Sequence, residues 1–474
     1  MTTGGDAYYN GSAEIGSKIQ SDRQLLREQL TPNASGLIVA MVGLPARGKS
    51  FISRKVERFL KWTGNRTQTF NVGKYRRDAV DPERSGKSDF FDKSNRDAVV
   101  QRREMAMAAL ADAIKFLDDG GKFAIFDATN STVERRKLIA DKVTNAGRKY
   151  SILWVEAVCD DEEVVMFNML TKVRYSPDFQ QMTEEQAMQD LKQRIANYEE
   201  IYETVQDSEG AFIKLFNLSS KVMANHCYGR VAKSILPYLM AIHIGSRPIW
   251  LTRAGAGAPE SKGSDGSDRT SSLSKQGQQF AQRLANFVKT RAGCYWERSR
   301  KPEEATQVFT STMPRAVSSA LCVDLQPDQQ SALNPIDKGV LGVGWWDVEC
   351  EDDVPPWNEM KKRHPDLFQE FEVDPLNWQF PGGERYVDMV KRLESVLIDV
   401  EMCTHPVLIV SHITTLQVLL SYFKGLPLEE AWKLSLPKDV VVEVSPTEGG
   451  GFLTQDYNLA SSGGYVVDAE RPLA

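Results

Sequence analysis

Lys49 and Ser50 end the run Gly43-Leu44-Pro45-Ala46-Arg47-Gly48-Lys49-Ser50, and these residue types at this spacing suit the gripping of a polyphosphate. The run fits the phosphate-binding loop GxxxxGK[ST], with an apolar stretch, Leu37–Val42, before it and a helix-length segment, Lys49–Thr63, after it. Glycines let backbone N–H groups converge on phosphate oxygens, and the helix N-terminus adds the positive end of its dipole. Lys49 is placed to reach the β- and γ-phosphates and the Ser50 hydroxyl to hold magnesium. On these residues alone the nucleotide is ATP or GTP. A Gly-rich turn formed by chance is the competing explanation, and the flanking strand and helix weigh against it.

Asp127 closes a second apolar run, Phe123–Phe126. There its carboxylate would lie beside the loop and coordinate magnesium, directly or through water, or assist removal of the acceptor proton; capping the next helix is the alternative. Asn130 and Ser131 immediately precede the helical pattern Thr132–Ala140 and are the expected caps, which leaves Thr129 to donate to substrate. Basic residues cluster at Arg76 and Arg77, at Arg102 and Arg103, at Arg135 and Arg136, and at Arg194 with Tyr198. A solvated helix face explains any one of them, but their joint occurrence around a phosphate loop points to an anionic acceptor. Arg194 and Tyr198 are spaced to share one helix face, where a guanidinium and a phenol can grip a second phosphate.

These side chains need a scaffold, and the pattern supplies one. Strand-like runs at Leu37–Val42, Thr67–Val72, Lys122–Asp127, Tyr150–Val158 and Phe212–Leu218 alternate with helical segments. Such alternation implies a parallel sheet covered on both faces, with ligands at the carboxyl ends of the strands. A second α/β pattern begins at Arg247–Thr252 and continues through strands at Gln307–Thr310, Pro406–Val410 and Val440–Val444. The expected organisation is a flexible arm over 1–34, one domain over 35–245, another over 246–447 and a flexible tail over 448–474. Gly255–Ser274 is expected to be a flexible surface loop.

Composition narrows the class further. The chain has 474 residues, of which 41% are hydrophobic and 26% charged, values typical of a soluble globular protein. A net charge of −6 gives no electrostatic case for nucleic acid. No apolar run reaches the roughly eighteen residues of a membrane span, and the polar start of the chain does not read as a signal peptide. Six cysteines without a CxxC pair read as reduced thiols of a cytoplasmic protein.

The motifs carry a family resemblance. GLPARGKS, FNVGKYRRDAV at Phe70–Val80, FDATNSTVERR at Phe126–Arg136, VEAVCDD at Val155–Asp161 and YSPDF at Tyr175–Phe179 resemble the kinase half of 6-phosphofructo-2-kinase/fructose-2,6-bisphosphatase, over about Leu37–Ile244. The resemblance implies that Gly43–Phe51 (Gly43, Leu44, Pro45, Ala46, Arg47, Gly48, Lys49, Ser50 and Phe51) hold ATP with Mg2+, bordered by Asn168. It implies Asp127 and Cys159 as active-site positions, although Cys159 itself reads as a buried strand-end thiol, since the reaction needs no covalent intermediate. Arg76, Arg102, Thr129, Arg135, Arg194 and Tyr198 would bind fructose 6-phosphate, and a homodimer is implied. One position departs: Val173 stands where the family has a substrate-binding lysine, and Lys172 or Arg174 is left to supply the charge.

The second half resembles that family's histidine-phosphatase domain, giving an expected fold of a P-loop kinase domain with a mainly parallel sheet followed by a histidine-phosphatase-like (phosphoglycerate-mutase-like) α/β domain. The motif RHGE reads Arg253-Ala254-Gly255-Ala256 here, so Ala254 stands in place of the phosphate-accepting histidine. Leu341–Gly344 replace acidic residues, with Asp347 and Glu349 nearby, and Ile413 and Gln417 replace polar and basic ones. Arg253, Arg315, His412 and Glu384 survive. The expected activity is transfer of the ATP γ-phosphoryl group to the 2-hydroxyl of fructose 6-phosphate, without bisphosphatase turnover. The alternatives are a P-loop kinase for another sugar phosphate and a catalytically silent sensor of ATP or sugar phosphate.

Overall fold

A computed structural model describes residues 36–79, 88–146, 150–218, 220–227, 230–257, 273–299, 304–324, 326–339, 356–460 and 466–468. The arm expected over 1–34, most of the loop expected over Gly255–Ser274, and Leu341–Gly344, Asp347 and Glu349 lie outside these residues. The chain divides into two compact units, 1–57 with 65–242 and 58–64 with 243–474.

The first unit runs β1 (Gly36–Val42), α1 (Lys49–Trp62), β2 (Thr67–Asn71), α2 (Val72–Ala79), α3 (Arg96–Asp118), β3 (Phe123–Asp127), α4 (Val133–Thr144), β4 (Tyr150–Val158), α5 (Glu162–Tyr175), α6 (Glu184–Glu199), β5 (Phe212–Phe216), β6 (Lys221–Asn225) and α7 (Arg230–Ala241). Its sheet has the order β2-β3-β1-β4-β5-β6. The first five strands are parallel and β6 returns antiparallel on β5. Ile38, Val39, Ala40 and Val42 are wholly buried, as a central parallel strand covered on both faces requires. From β1 the sheet grows one way to β3 and β2 and the other way to β4, so the carboxyl end of β1 is the switch point where such sheets bind ligands.

Capping side chains set the helix starts around this edge. Asn95 accepts from the Ala98 amide at α3, Asp161 from the Glu163 and Val164 amides at α5, and Thr183 with Gln186 forms a reciprocal capping box at α6. At α4 the cap is Thr132, accepting from the Arg135 amide, not the expected Asn130 or Ser131. Asn130 is instead turned into the left-handed region, φ 45°, and donates Nδ2 to the Met41 carbonyl at 2.8 Å.

The second unit runs β7 (Ile249–Arg253), α8 (Lys275–Ser299), β8 (Gln307–Thr310), α9 (Pro314–Ala320), β9 (Asp328–Gln329), α10 (Pro356–Arg363), α11 (Pro365–Val373), α12 (Tyr386–Met402), β10 (Val407–Ser411), α13 (Ile413–Lys424), β11 (Val440–Pro446), β12 (Phe452–Asn458) and β13 (Val466–Asp468). The sheet order is β13-β12-β11-β7-β10-β8-β9, parallel across β7, β10, β8 and β9 and antiparallel from β7 outward through β11. The tail expected over 448–474 is corrected here, because Phe452–Asn458 is a strand paired along the whole of β11. The Gly449–Gly451 run that reads as a linker is the hairpin turn: the Thr447 amide donates to the Gly451 carbonyl at 2.9 Å, and Gly450 has φ 79°.

Candidate active site

The loop between β1 and α1 is shaped for a ligand that approaches its backbone. Gly43, Ala46 and Gly48 have φ values of 138°, 58° and 80°, and a Cβ at Gly43 would lie 2.6 Å from the Ala157 carbonyl oxygen. The Gly43 amide donates to the Thr129 carbonyl at 2.9 Å, which ties the loop to the segment after β3. Lys49 is buried and folds its ammonium back to the Leu44 carbonyl at 2.5 Å. The Ser50 hydroxyl donates to Asp127 Oδ2 at 2.7 Å, so hydroxyl and carboxylate share one spot at the strand ends.

Asn71 was not anticipated, yet its Nδ2 donates to the same Asp127 oxygen. It ends β2 in register with Asp127 on β3, a signal legible once the two strands are paired. Asn168, on α5, buries Nδ2 with no hydrogen-bond partner among the described residues. A loop that excludes a Cβ, an orphaned buried amide and a hydroxyl–carboxylate pair fit a nucleotide with its divalent cation. No group of three or more His, Cys, Asp or Glu among the described residues could hold a metal unaided, so a cation here would take further oxygens from phosphate and water.

The ammonium groups of buried Lys49 and half-buried Lys172 both lie in the field of Asp127. Burial, followed by the charge of Lys172, lowers Lys49 to about 7. Burial and then Arg194 lower Lys172 to about 8, while Asp178 and Asp127 act the other way. Lys172 therefore lies within the field of both the loop end and the arginine end of the site. Val173 packs instead into a cluster with Ala46, Met169 and Leu191. Arg174 is exposed and does not join the site, because residues two apart on α5 point to different sides.

The arginines expected to bind substrate converge. The guanidinium carbons of Arg76, Arg102 and Arg194 stand 5.2, 5.9 and 4.7 Å from the centre of the Phe91 ring, and Tyr198 packs on that ring at 6.0 Å. Arg135 donates to the Arg102 carbonyl at 3.5 Å, and burial lowers its pKa while the Tyr198 phenol opposes that shift. Asp178 lies among them, accepting from Arg76 at 2.5 Å, Arg194 at 3.0 Å and Arg77 at 3.3 Å. Phe91 and Asp178 were not singled out from sequence; an aromatic and an acidic residue carry no anion-binding signal until the fold sets them against arginines.

Arg136 is wholly buried, paired with Glu209 at 2.6 Å and donating to the Asn130 and Glu203 carbonyls. Among the described residues the Cys159 thiol approaches the Asp161 carbonyl, at 3.9 Å, and burial raises its pKa, so the thiol stays protonated.

In the second unit, Arg253 and Ser411 are register partners at the carboxyl ends of β7 and β10, so Ala254 and His412 follow adjacent strand ends. His412 is buried, its Nδ1 3.1 Å from Arg315 Nη2 and its Nε2 2.7 Å from Ser311 Oγ. Arg315 can only donate, so Nδ1 accepts and Nε2 carries the proton; burial, reinforced by Arg315 and Arg253, keeps the ring neutral. Arg253 donates to the Leu436 carbonyl at 3.2 Å and the Ala254 amide to the Ser411 carbonyl at 3.0 Å. Glu384 accepts from Arg392 and the Asp337 amide, while Gln417 donates to the Trp432 and Leu434 carbonyls.

A phosphate loop at the switch point of a parallel sheet, facing a nest of arginines, defines the first unit as a P-loop phosphotransferase fold. Residues 27–246 match the family model described as 6-phosphofructo-2-kinase, and residues 249–458 the model described as histidine phosphatase superfamily (branch 1). The chain is 35% identical over 414 residues to an Arabidopsis thaliana 6-phosphofructo-2-kinase/fructose-2,6-bisphosphatase, covering 86% of this chain and 52% of that protein. It thus spans about half the length of that relative. Identity is 36% over 417 residues to the Gallus gallus protein of the same name, covering 87% of this chain and 83% of the relative. With 6-phosphofructo-2-kinase/fructose-2,6-bisphosphatase 1 of Rattus norvegicus it is 34% over 420 residues, covering 88% and 83%. The chain belongs to the 6-phosphofructo-2-kinase/fructose-2,6-bisphosphatase family, and its first unit is that family's 6-phosphofructo-2-kinase domain. Among the described residues no helix is long and apolar enough to cross a membrane.

Proposed function

We propose that this chain transfers the γ-phosphoryl group of ATP to the 2-hydroxyl of fructose 6-phosphate, producing fructose 2,6-bisphosphate and ADP, and that it has no bisphosphatase turnover. The observation that carries the first part is that one unit sets a phosphate loop with its Ser50–Asp127 pair beside arginines converging on Phe91 and Asp178, with the Lys172 ammonium in the field of both groups. A group so placed neutralises charge on a phosphoryl in transit between two bound anions.

In this reading the loop amides and Lys49 hold the polyphosphate, Asn168 borders the nucleotide, and Ser50 with Asp127 would hold Mg2+. The cation would supply charge neutralisation at the phosphates. Arg194, Arg76, Arg102 and Arg135 with Tyr198 hold the sugar phosphate, and Thr129 donates to the sugar. The bond from the γ-phosphorus to the bridging oxygen breaks, a bond to the 2-oxygen forms, and the hydroxyl proton leaves to water or to Asp127. An anomeric hydroxyl is more acidic than an ordinary alcohol, so alignment and charge neutralisation outweigh a strong base. Arg136 and Arg174 have no part in it.

The absence of bisphosphatase turnover rests on Ala254, whose methyl cannot accept a phosphoryl group, and on the neutral His412 held by Ser311 and Arg315. Homodimeric assembly and a cytoplasmic location follow from the family resemblance and the scattered thiols. ADP release that requires fructose 6-phosphate and disappears in Lys49→Met tests the kinase reading. A wild-type chain with no sugar-dependent ADP release would favour the silent sensor, and faster turnover of another sugar phosphate would favour the other kinase.

A further inference from the structure

Arg76 and Arg194 are buried cations only one carboxylate apart. Both donate to the same oxygen of Asp178, from Nη2 at 2.5 Å and from Nη1 at 3.0 Å, and Arg77 takes the other oxygen at 3.3 Å. The Asp178 side chain is 5% exposed, and those of Arg76 and Arg194 are 8% and 5% exposed. Water therefore screens little of the repulsion between the guanidinia. Arg194 is further clamped between the Phe91 and Phe179 rings, each 4.7 Å from its guanidinium carbon, and held by Asp190 at 2.6 Å. The Arg76 guanidinium carbon lies 5.2 Å from the centre of the same Phe91 ring.

We propose that Asp178 is a positioning residue for the sugar-phosphate site, its carboxylate bridging Arg76 to the clamped Arg194 so that both guanidinia are assembled before substrate arrives. Asp178 is the middle residue of the short turn Pro177–Phe179 that follows α5, and its amide donates to the capping Ser176 hydroxyl, so the bridge is delivered by backbone already fixed at the end of the helix that carries Lys172. The bridge also decides between two opposite expectations. A carboxylate beside an anion site would ordinarily weaken binding, and its removal would tighten it. Here the carboxylate is spent on two buried cations, and its loss leaves them repelling across the place the substrate phosphate must occupy.

The inference rests on the kinase reading above, and the experiment separates the two. Wild type, Asp178→Asn and Asp178→Glu are assayed for sugar-dependent ADP release with ATP and fructose 6-phosphate varied in turn, and each variant's thermal unfolding is recorded. The expected result is a KM for fructose 6-phosphate raised about tenfold in Asp178→Asn, the size of one charge-assisted contact. The KM for ATP is unchanged and kcat stays within about twofold, while Asp178→Glu, which keeps the charge, recovers most of the loss. An unchanged or lowered KM for fructose 6-phosphate in a folded Asp178→Asn overturns the inference, as does an equal fall in both substrates' affinities. A wild type without sugar-dependent ADP release overturns the kinase reading instead.

Discussion

Lys49, buried, and Lys172, half-buried, are each desolvated at a cost that a bound anion relieves. Lys49 falls to about 7 and Lys172 to about 8, both from 10.5 and both chiefly through burial. A bound polyphosphate favours their charged forms, so nucleotide binding takes up protons, most strongly near pH 8, and nucleotide affinity falls as pH rises through about 7 to 8. Calorimetric titration with ATP in two buffers of different ionisation enthalpy measures this; enthalpies identical in both buffers at pH 8 would contradict it. The sign for stability is opposite. Lys49 has a folded pKa below its unfolded value, so the unfolded chain binds the extra proton and ligand-free stability rises with pH between about 7 and 10.5. Lys49→Met is accordingly expected to raise the melting temperature of the ligand-free protein while lowering kcat/KM at least about a hundredfold. Of these residues Lys49, Ser50 and Asp127 were legible in the sequence because motif and strand end fix their places. Lys172 was legible only as one of two neighbours of Val173, and helix phase decided between them.

Elements, not single side chains, set the distance between the two ends of the site. The segment after β3 is anchored to the phosphate loop by the Gly43 amide, to the end of β1 by the Asn130 side chain, and to residues 203–209 by Arg136. Arg136→Ala would strand the largely buried Glu209 carboxylate and is expected to cost about 3 kcal/mol of stability. Denaturant unfolding reads this, and a loss under about 1 kcal/mol would show that the pair contributes little. Alternating apolar runs announced the central strands of both sheets, since buried parallel strands are continuous in Ile, Val and Ala. What escaped were elements whose sequence signal is weak. Strand β6, largely exposed at the edge of its sheet, lacks an apolar face, and β12 is hidden by a turn rich in glycine that reads as a linker. Helix α2 begins directly where β2 ends, so its start carries no loop signal.

At the scale of the whole molecule, the two α/β units of one family chain present different residues at their strand ends. In the first, the loop, the two lysines and the arginines are present together. In the second, Arg253, Arg315 and His412 remain while a methyl group stands at Ala254. Incubation with fructose 2,6-bisphosphate is expected to release no phosphate above a blank, and steady release would show that another group accepts the phosphoryl. The proposed transfer is regiochemically specific, from ATP to the 2-oxygen of fructose 6-phosphate. Its most direct test gives the chain γ-labelled ATP, magnesium and fructose 6-phosphate and treats the labelled sugar with mild acid. The account predicts a bisphosphate whose label acid frees as inorganic phosphate, leaving fructose 6-phosphate; label that survives the acid, as it would on a primary hydroxyl, would contradict it.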